Sequence, residues 1–147
     1  MQKRFANMLA AAVVAAFASQ LWAGGFWLQL GNPEANTEAR NANAVLVIKA
    51  VGCHDPATAK VSARAVGTVD GKRQVIPLKL TALGEPGVFA LARQWPEQGK
   101  WVIALTGKNG EQFTNTLVSA GPSGIDRLHA KAEMKPFTQD DVEAMLR

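Results

Sequence analysis

Residues 60–80 read KVSARAVGTVDGKRQVIPLKL, and the fold turns on this run. From Lys60 to Val69 apolar and polar positions alternate. Val61, Ala63 and Ala65 share one face and Ser62 and Arg64 the other, the period-two pattern of a half-buried strand. Asp70-Gly71 then supplies two residues suited to the positive φ of a type I′ turn, whose twist matches that of paired strands. Beyond the turn Ile76, Leu78 and Leu80 recur at the same spacing, so the run is a β-hairpin. Pro77 has no N–H to give to a ladder, which predicts that the second strand lies at a sheet edge.

The same syntax extends outward. Ala44 to Val51 is a β-branched run closed by Gly52 and the Asp55-Pro56 turn signal. Glu85-Pro86-Gly87 sets Pro and Gly at the central positions of a type II turn, and Val88 to Arg93 follows as a strand. After the Trp95-Pro96-Glu97-Gln98-Gly99 turn, Trp101, Ile103 and Leu105 alternate within Lys100–Thr106. Asn109-Gly110 then predicts a hairpin into Gln112–Ser119. Strands joined by turns rather than helices define an all-β chain, and the expected fold is an immunoglobulin-like antiparallel β-sandwich over residues 44–120.

Residues 24–43 read as a linker, because the composition turns small and polar from Gly31 to Asn43, with Asn32, Pro33, Asn36, Asn41 and Asn43. Gly121-Pro122-Ser123-Gly124 ends the expected sandwich, leaving residues 121–147 as a C-terminal extension. Within it Thr138 is an N-cap with Asp141 at N3, and Phe137 with Val142 makes a hydrophobic staple. A short helix over Gln139–Leu146 follows, with Val142, Met145 and Leu146 as the face that packs on the sandwich.

Residues 1–23 carry the compartment signal. Lys3-Arg4 is a cationic start, and Leu9 to Ala18 is an uncharged apolar run of signal-peptide length. Ala16-Phe17-Ala18 offers one cleavage pattern and Ala23 a second. The alternative is an uncleaved membrane anchor continuing through Leu28, with Trp22 and Trp27 at the interface. Both readings place the protein outside the cytoplasm, periplasmic or secreted, and the membrane is a partner only if the segment is kept.

The formal charge of +4 falls once Lys3 and Arg4 are set aside, leaving 14 basic against 12 acidic residues. The remaining cations are scattered, with no basic stripe for nucleic acid. Cys53 is the single cysteine, so no internal disulfide can staple the fold, and it lies too far from the apolar run to be a lipidation site.

Chemistry-bearing residues are few. Cys53-His54-Asp55 is read as a packed cysteine followed by a turn. Two other readings are redox or intermolecular disulfide chemistry at Cys53, and a metal site, copper or zinc, that joins Cys53 and His54 to His129 and Met134, since thiolate, imidazole and thioether suit such ions. His129 and Glu133 would share a face were Leu128–Met134 helical. No nucleophile elbow, phosphate loop or zinc-protease motif occurs, so no catalytic residue is assigned, no enzyme activity and no cofactor are expected. Trp95 and Trp101 are read as core or sheet-edge packing in preference to a sugar-stacking platform.

Glu85-Pro86-Gly87-Val88-Phe89, followed by Trp95-Pro96-Glu97-Gln98-Gly99-Lys100-Trp101-Val102-Ile103, resembles the pattern of FixH-like and YtkA-like domains. The resemblance implies an extracytoplasmic immunoglobulin-like sandwich, often tethered by one N-terminal helix, and for FixH-like proteins a link to metal handling and terminal-oxidase assembly. It carries no ligand residue onto this chain. The expected function is that of an exported, non-enzymatic domain that binds or scaffolds an envelope protein, with periplasmic metal handling as the alternative.

Overall fold

A computed structural model describes residues 25–147. The cleavage sites and the apolar run of the leader lie outside the described residues, but the continuation of the anchor reading through Leu28 does not hold: Phe26 and Leu28 are buried in the sandwich core, and Trp27 opens its first strand. Nine strands follow: β1 (Trp27–Gly31), β2 (Ala44–Val51), β3 (Lys60–Val69), β4 (Lys72–Leu78), β5 (Thr81–Ala82), β6 (Val88–Ala92), β7 (Lys100–Asn109), β8 (Gln112–Gly121) and β9 (Gly124–Glu133). Two short α-helices, α1 (Thr37–Asn41) and α2 (Gln139–Leu146), and single 3-10 turns at Pro33–Ala35 and Pro56–Thr58 complete the described residues. One sheet runs β1-β2-β6-β5 and the other β4-β3-β7-β8-β9, every pair antiparallel. This is the A-B-E-D and C′-C-F-G order of an immunoglobulin-like sandwich, with β9 added beyond the last strand.

The turns form for the reasons legible in the residues. Asp70 and Gly71 both have positive φ, 50° and 74°, and join β3 to β4 in unbroken register from Val69↔Lys72 to Ala63↔Leu78. Pro77 lies in β4, an edge strand as its missing donor requires. Gly87 has φ 76° and the Val88 N–H donates to the Glu85 carbonyl at 3.2 Å, a type II turn. The β7–β8 hairpin turns one residue later than Asn109-Gly110 suggests. Asn109 pairs with Gln112, so Gly110 (φ 60°) and Glu111 occupy the turn. The Asn109 side chain instead pins the loop that crosses between the sheets. Its Nδ2 donates to the Asp55 carbonyl at 3.0 Å and lies 3.1 Å from Thr58 Oγ1.

Between the sheets lies the main core, where Phe26, Leu28, Leu46, Ile48, Leu91, Ile103 and Leu105 are all buried. Trp95 and Trp101 belong to it at 5% and 2% exposure, which leaves neither ring face for a sugar. Trp101 lies over Gly67, its partner across β3 and β7, and its indole N–H donates to the Gln98 carbonyl at 2.8 Å. Each outer face also carries a helix. On the first sheet Ala39 of α1 packs with Val47, Val88 and Ala90, while on the second Val142 of α2 packs with Val66, Val102 and Leu117.

Two boundaries are corrected. The 24–43 segment is no linker: Phe26 and Leu28 are core residues, and β1 pairs with β2 from Trp27↔Val51 to Gly31↔Val47. Two of its asparagines act as N-caps and a third makes a turn. Asn32 Oδ1 accepts from the Glu34 N–H at 3.1 Å, Asn36 Oδ1 from the Ala39 N–H at 2.9 Å, and Asn43 takes a left-handed φ of 52°. At the other end, Pro122-Ser123 is a hairpin turn, not the end of the domain, and the extension begins as strand β9. Leu128–Met134 is therefore not helical. Between the pairs Ser119↔Asp126 and Leu117↔Lys131, β9 spends four residues, Arg127 to Ala130, opposite the single Val118. This bulge thrusts Leu128 into solvent at 93% exposure.

Candidate functional site

The outward face of the second sheet is built from alternate residues of three strands: Arg64 and Val66 from β3, Val102, Ala104 and Thr106 from β7, and Phe113, Asn115 and Leu117 from β8. An outward face this apolar needs a cover. α2 supplies part of it, started by a capping box. Thr138 Oγ1 accepts from the Asp141 N–H at 3.2 Å, and Asp141 Oδ2 accepts from the Thr138 N–H at 2.7 Å. These bonds, the backbone one foremost, with Lys131 and Lys135 nearby, lower the Asp141 carboxyl below its ordinary value. Arg73 donates to Glu143 and ties the helix to β4.

α2 covers only part of the face. Beside it lies a hollow of about 430 Å³ lined by Ala104, Leu117, Phe113, Met134, Phe137 and Arg64, among others. Its floor carries a polar pair, Thr106 Oγ1 to Asn115 Oδ1 at 3.0 Å. Across Phe137 and Val142 a second hollow of about 350 Å³ is lined by Val66, Val75, Arg73 and again Arg64. The two form one interrupted groove. Arg64 stands in both halves, exposed, with no ion-pair partner among the described residues. The groove offers two apolar seats either side of a guanidinium, a surface for a segment with apolar side chains flanking an acceptor or carboxylate.

The residues expected as metal ligands fall elsewhere or apart. Cys53 is half-buried against the main core, and His54 is exposed beside it, where Asp55 caps the Pro56–Thr58 turn through the Ala57 N–H at 3.0 Å. His129 lies in the β9 bulge with Nδ1 at 2.8 Å from Asp126 Oδ2, a contact that lowers the Asp126 carboxyl. Met134 follows β9 and lines the outer groove, on the far side of the second sheet from the core that holds Cys53. Among the described residues no three His, Cys, Asp or Glu side chains gather as a metal group. The groove itself escaped the sequence reading. Its signal lay in Trp101-Val102-Ile103-Ala104-Leu105, apolar at every position, the pattern of a strand buried on both faces.

No family model matches the chain, and no curated protein or solved structure matches it.

Proposed function

We propose that this protein is an exported, non-enzymatic binding or scaffolding domain of the cell envelope, which holds a segment of a partner protein in the groove beside α2. The groove carries the reading: two apolar hollows, about 430 and 350 Å³, share Arg64, which has no ion-pair partner among the described residues, and flank the ridge of Phe137 and Val142. Export is supported by the cationic start at Lys3-Arg4 and the apolar run from Leu9 to Ala18. A partner segment that fits presents an apolar residue to each hollow and a carboxylate to Arg64.

A photo-crosslinking residue in place of Phe113, incorporated in living cells, tests it. The expected result is one discrete crosslinked species in the envelope fraction that disappears when Arg64→Glu reverses the central charge. Crosslinking that is absent, or indifferent to Arg64→Glu, overturns the groove. Native mass spectrometry of the exported protein reports the compartment and the leader together. A mass carrying copper or zinc would favour metal handling instead.

A further inference from the structure

The chain enters the sandwich at one pole, and the register fixes what else is there. Trp27 pairs with Val51, Lys60 with Lys108, Asn109 with Gln112 and Asn115 with Glu133, so the start of β1, the β7–β8 turn and the end of β9 share an end. The opposite pole holds the Asp70-Gly71 and Pro122-Ser123 turns. Of the five large hydrophobic side chains exposed among the described residues, Trp27 (46%), Phe113 (46%) and Met134 (69%) belong to the entry pole. Val75 lines the second hollow of the groove, and Leu128 stands singly on the β9 bulge.

We propose that the entry pole rests on a lipid bilayer, with Phe113, Met134 and Trp27 reaching the headgroup region. The inference rests on the uncleaved, anchored form of the exported reading, and on the leader's distance from the fold. Only residues 19–25 separate the run ending at Ala18 from Phe26, the first core residue, and seven residues span at most about 25 Å. A membrane-held leader therefore keeps this pole, and no other, at the surface. The side chains suit that depth. Trp favours the interface and Phe buries at the headgroup–acyl boundary, and Lys108 Nζ lies 5.2 Å from the Phe113 ring, an apolar stem with its charge near the surface. Charge plays no leading part. Lys49 pairs with Glu85 at 2.5 Å and Lys135 lies 3.7 Å from Glu133, while Lys60 and Lys108 share the pole with the carboxylates of Asp55 and Glu111, which match them in number. Contact is thus apolar, and neutral lipid suffices. The groove opens beside this pole, since Phe113 and Met134 line both.

The test uses the full chain in phosphatidylcholine vesicles whose acyl chains carry bromine, a short-range quencher of indole. In a Trp22→Phe/Trp27→Phe background the remaining native indoles, Trp95 and Trp101, are buried near the opposite pole. Adding Phe113→Trp places a reporter at the entry pole, and Leu128→Trp one on the β9 bulge. The emission increment contributed by Phe113→Trp falls by about half in brominated vesicles, as for an interfacial indole, while that of Leu128→Trp does not. Equal quenching, or none, at the two positions in chains that float with the vesicles overturns the membrane-facing pole alone. Failure of the full chain to float overturns both the pole and the anchored leader beneath it.

Discussion

Trp101 is seated by an absence. Gly67 faces it directly across the β3–β7 ladder, and a Cβ at that position would collide with the indole ring and crowd the Lys100 carbonyl. The indole N–H bond to Gln98 leaves the ring little freedom to retreat. Gly67→Ala is therefore expected to destabilise the protein by about 1–3 kcal/mol, the range for overpacking a filled core. Chemical denaturation at equilibrium measures it, and a change under about half a kcal/mol would show that the ring moves at little cost. The identity of Trp101 as a core residue was readable from its alternation with Ile103 and Leu105. The need for glycine opposite it was not, because that need arises from a register across strands some 34 positions apart.

At the scale of elements, α2 is the most fully specified by its own residues. The Thr138 and Asp141 exchange lowers the Asp141 carboxyl, so its ionised form is favoured in the folded chain. The helix accordingly gains this support in full above the ordinary aspartate value of 3.8, and loses it as pH falls through the lower folded value. Far-UV circular dichroism of wild type against Asp141→Asn should therefore differ near neutrality and converge in acid below that value. A difference that persisted unchanged at low pH would contradict the assignment. The cap, staple and apolar face of this helix were all legible, since each lies within a few residues of the next. β1 and β9 were hidden for opposite reasons. Phe26, Leu28 and Leu30 alternate as a strand should, but they follow directly on the apolar leader and merge with it. β9 is an edge strand, exposed over most of its length and broken by a bulge, so no buried face imposes a period on its residues.

For the molecule as a whole, the first nineteen described residues hold the fold together more than their polar composition suggests. β1 closes the edge of the first sheet, and α1 covers its outer face, with the Gly84 N–H donating to Glu38 at 2.6 Å. Removing residues 1–43 would expose the core vacated by Phe26 and Leu28, each worth about 1.5–3 kcal/mol of burial, against a total stability of roughly 5–15 kcal/mol for an ordinary domain. Such a chain should lose its cooperative thermal transition, which calorimetry detects, whereas one beginning at Gly25 should keep it. The sandwich was legible because its turns and alternation are local. The groove was not, because it exists only where a terminal helix covers part of a sheet face built from three strands, and no short window of residues contains both.

The long ladder of β9 is interrupted midway by an irregularity that guards the border of the sheet. Four residues spent opposite one leave the rim of the second sheet with its hydrogen-bonding groups out of step, and Pro77 removes a donor from the opposite rim. A foreign strand that tried to zip along either border would meet an interruption, so crowding should favour separate molecules over fibrils.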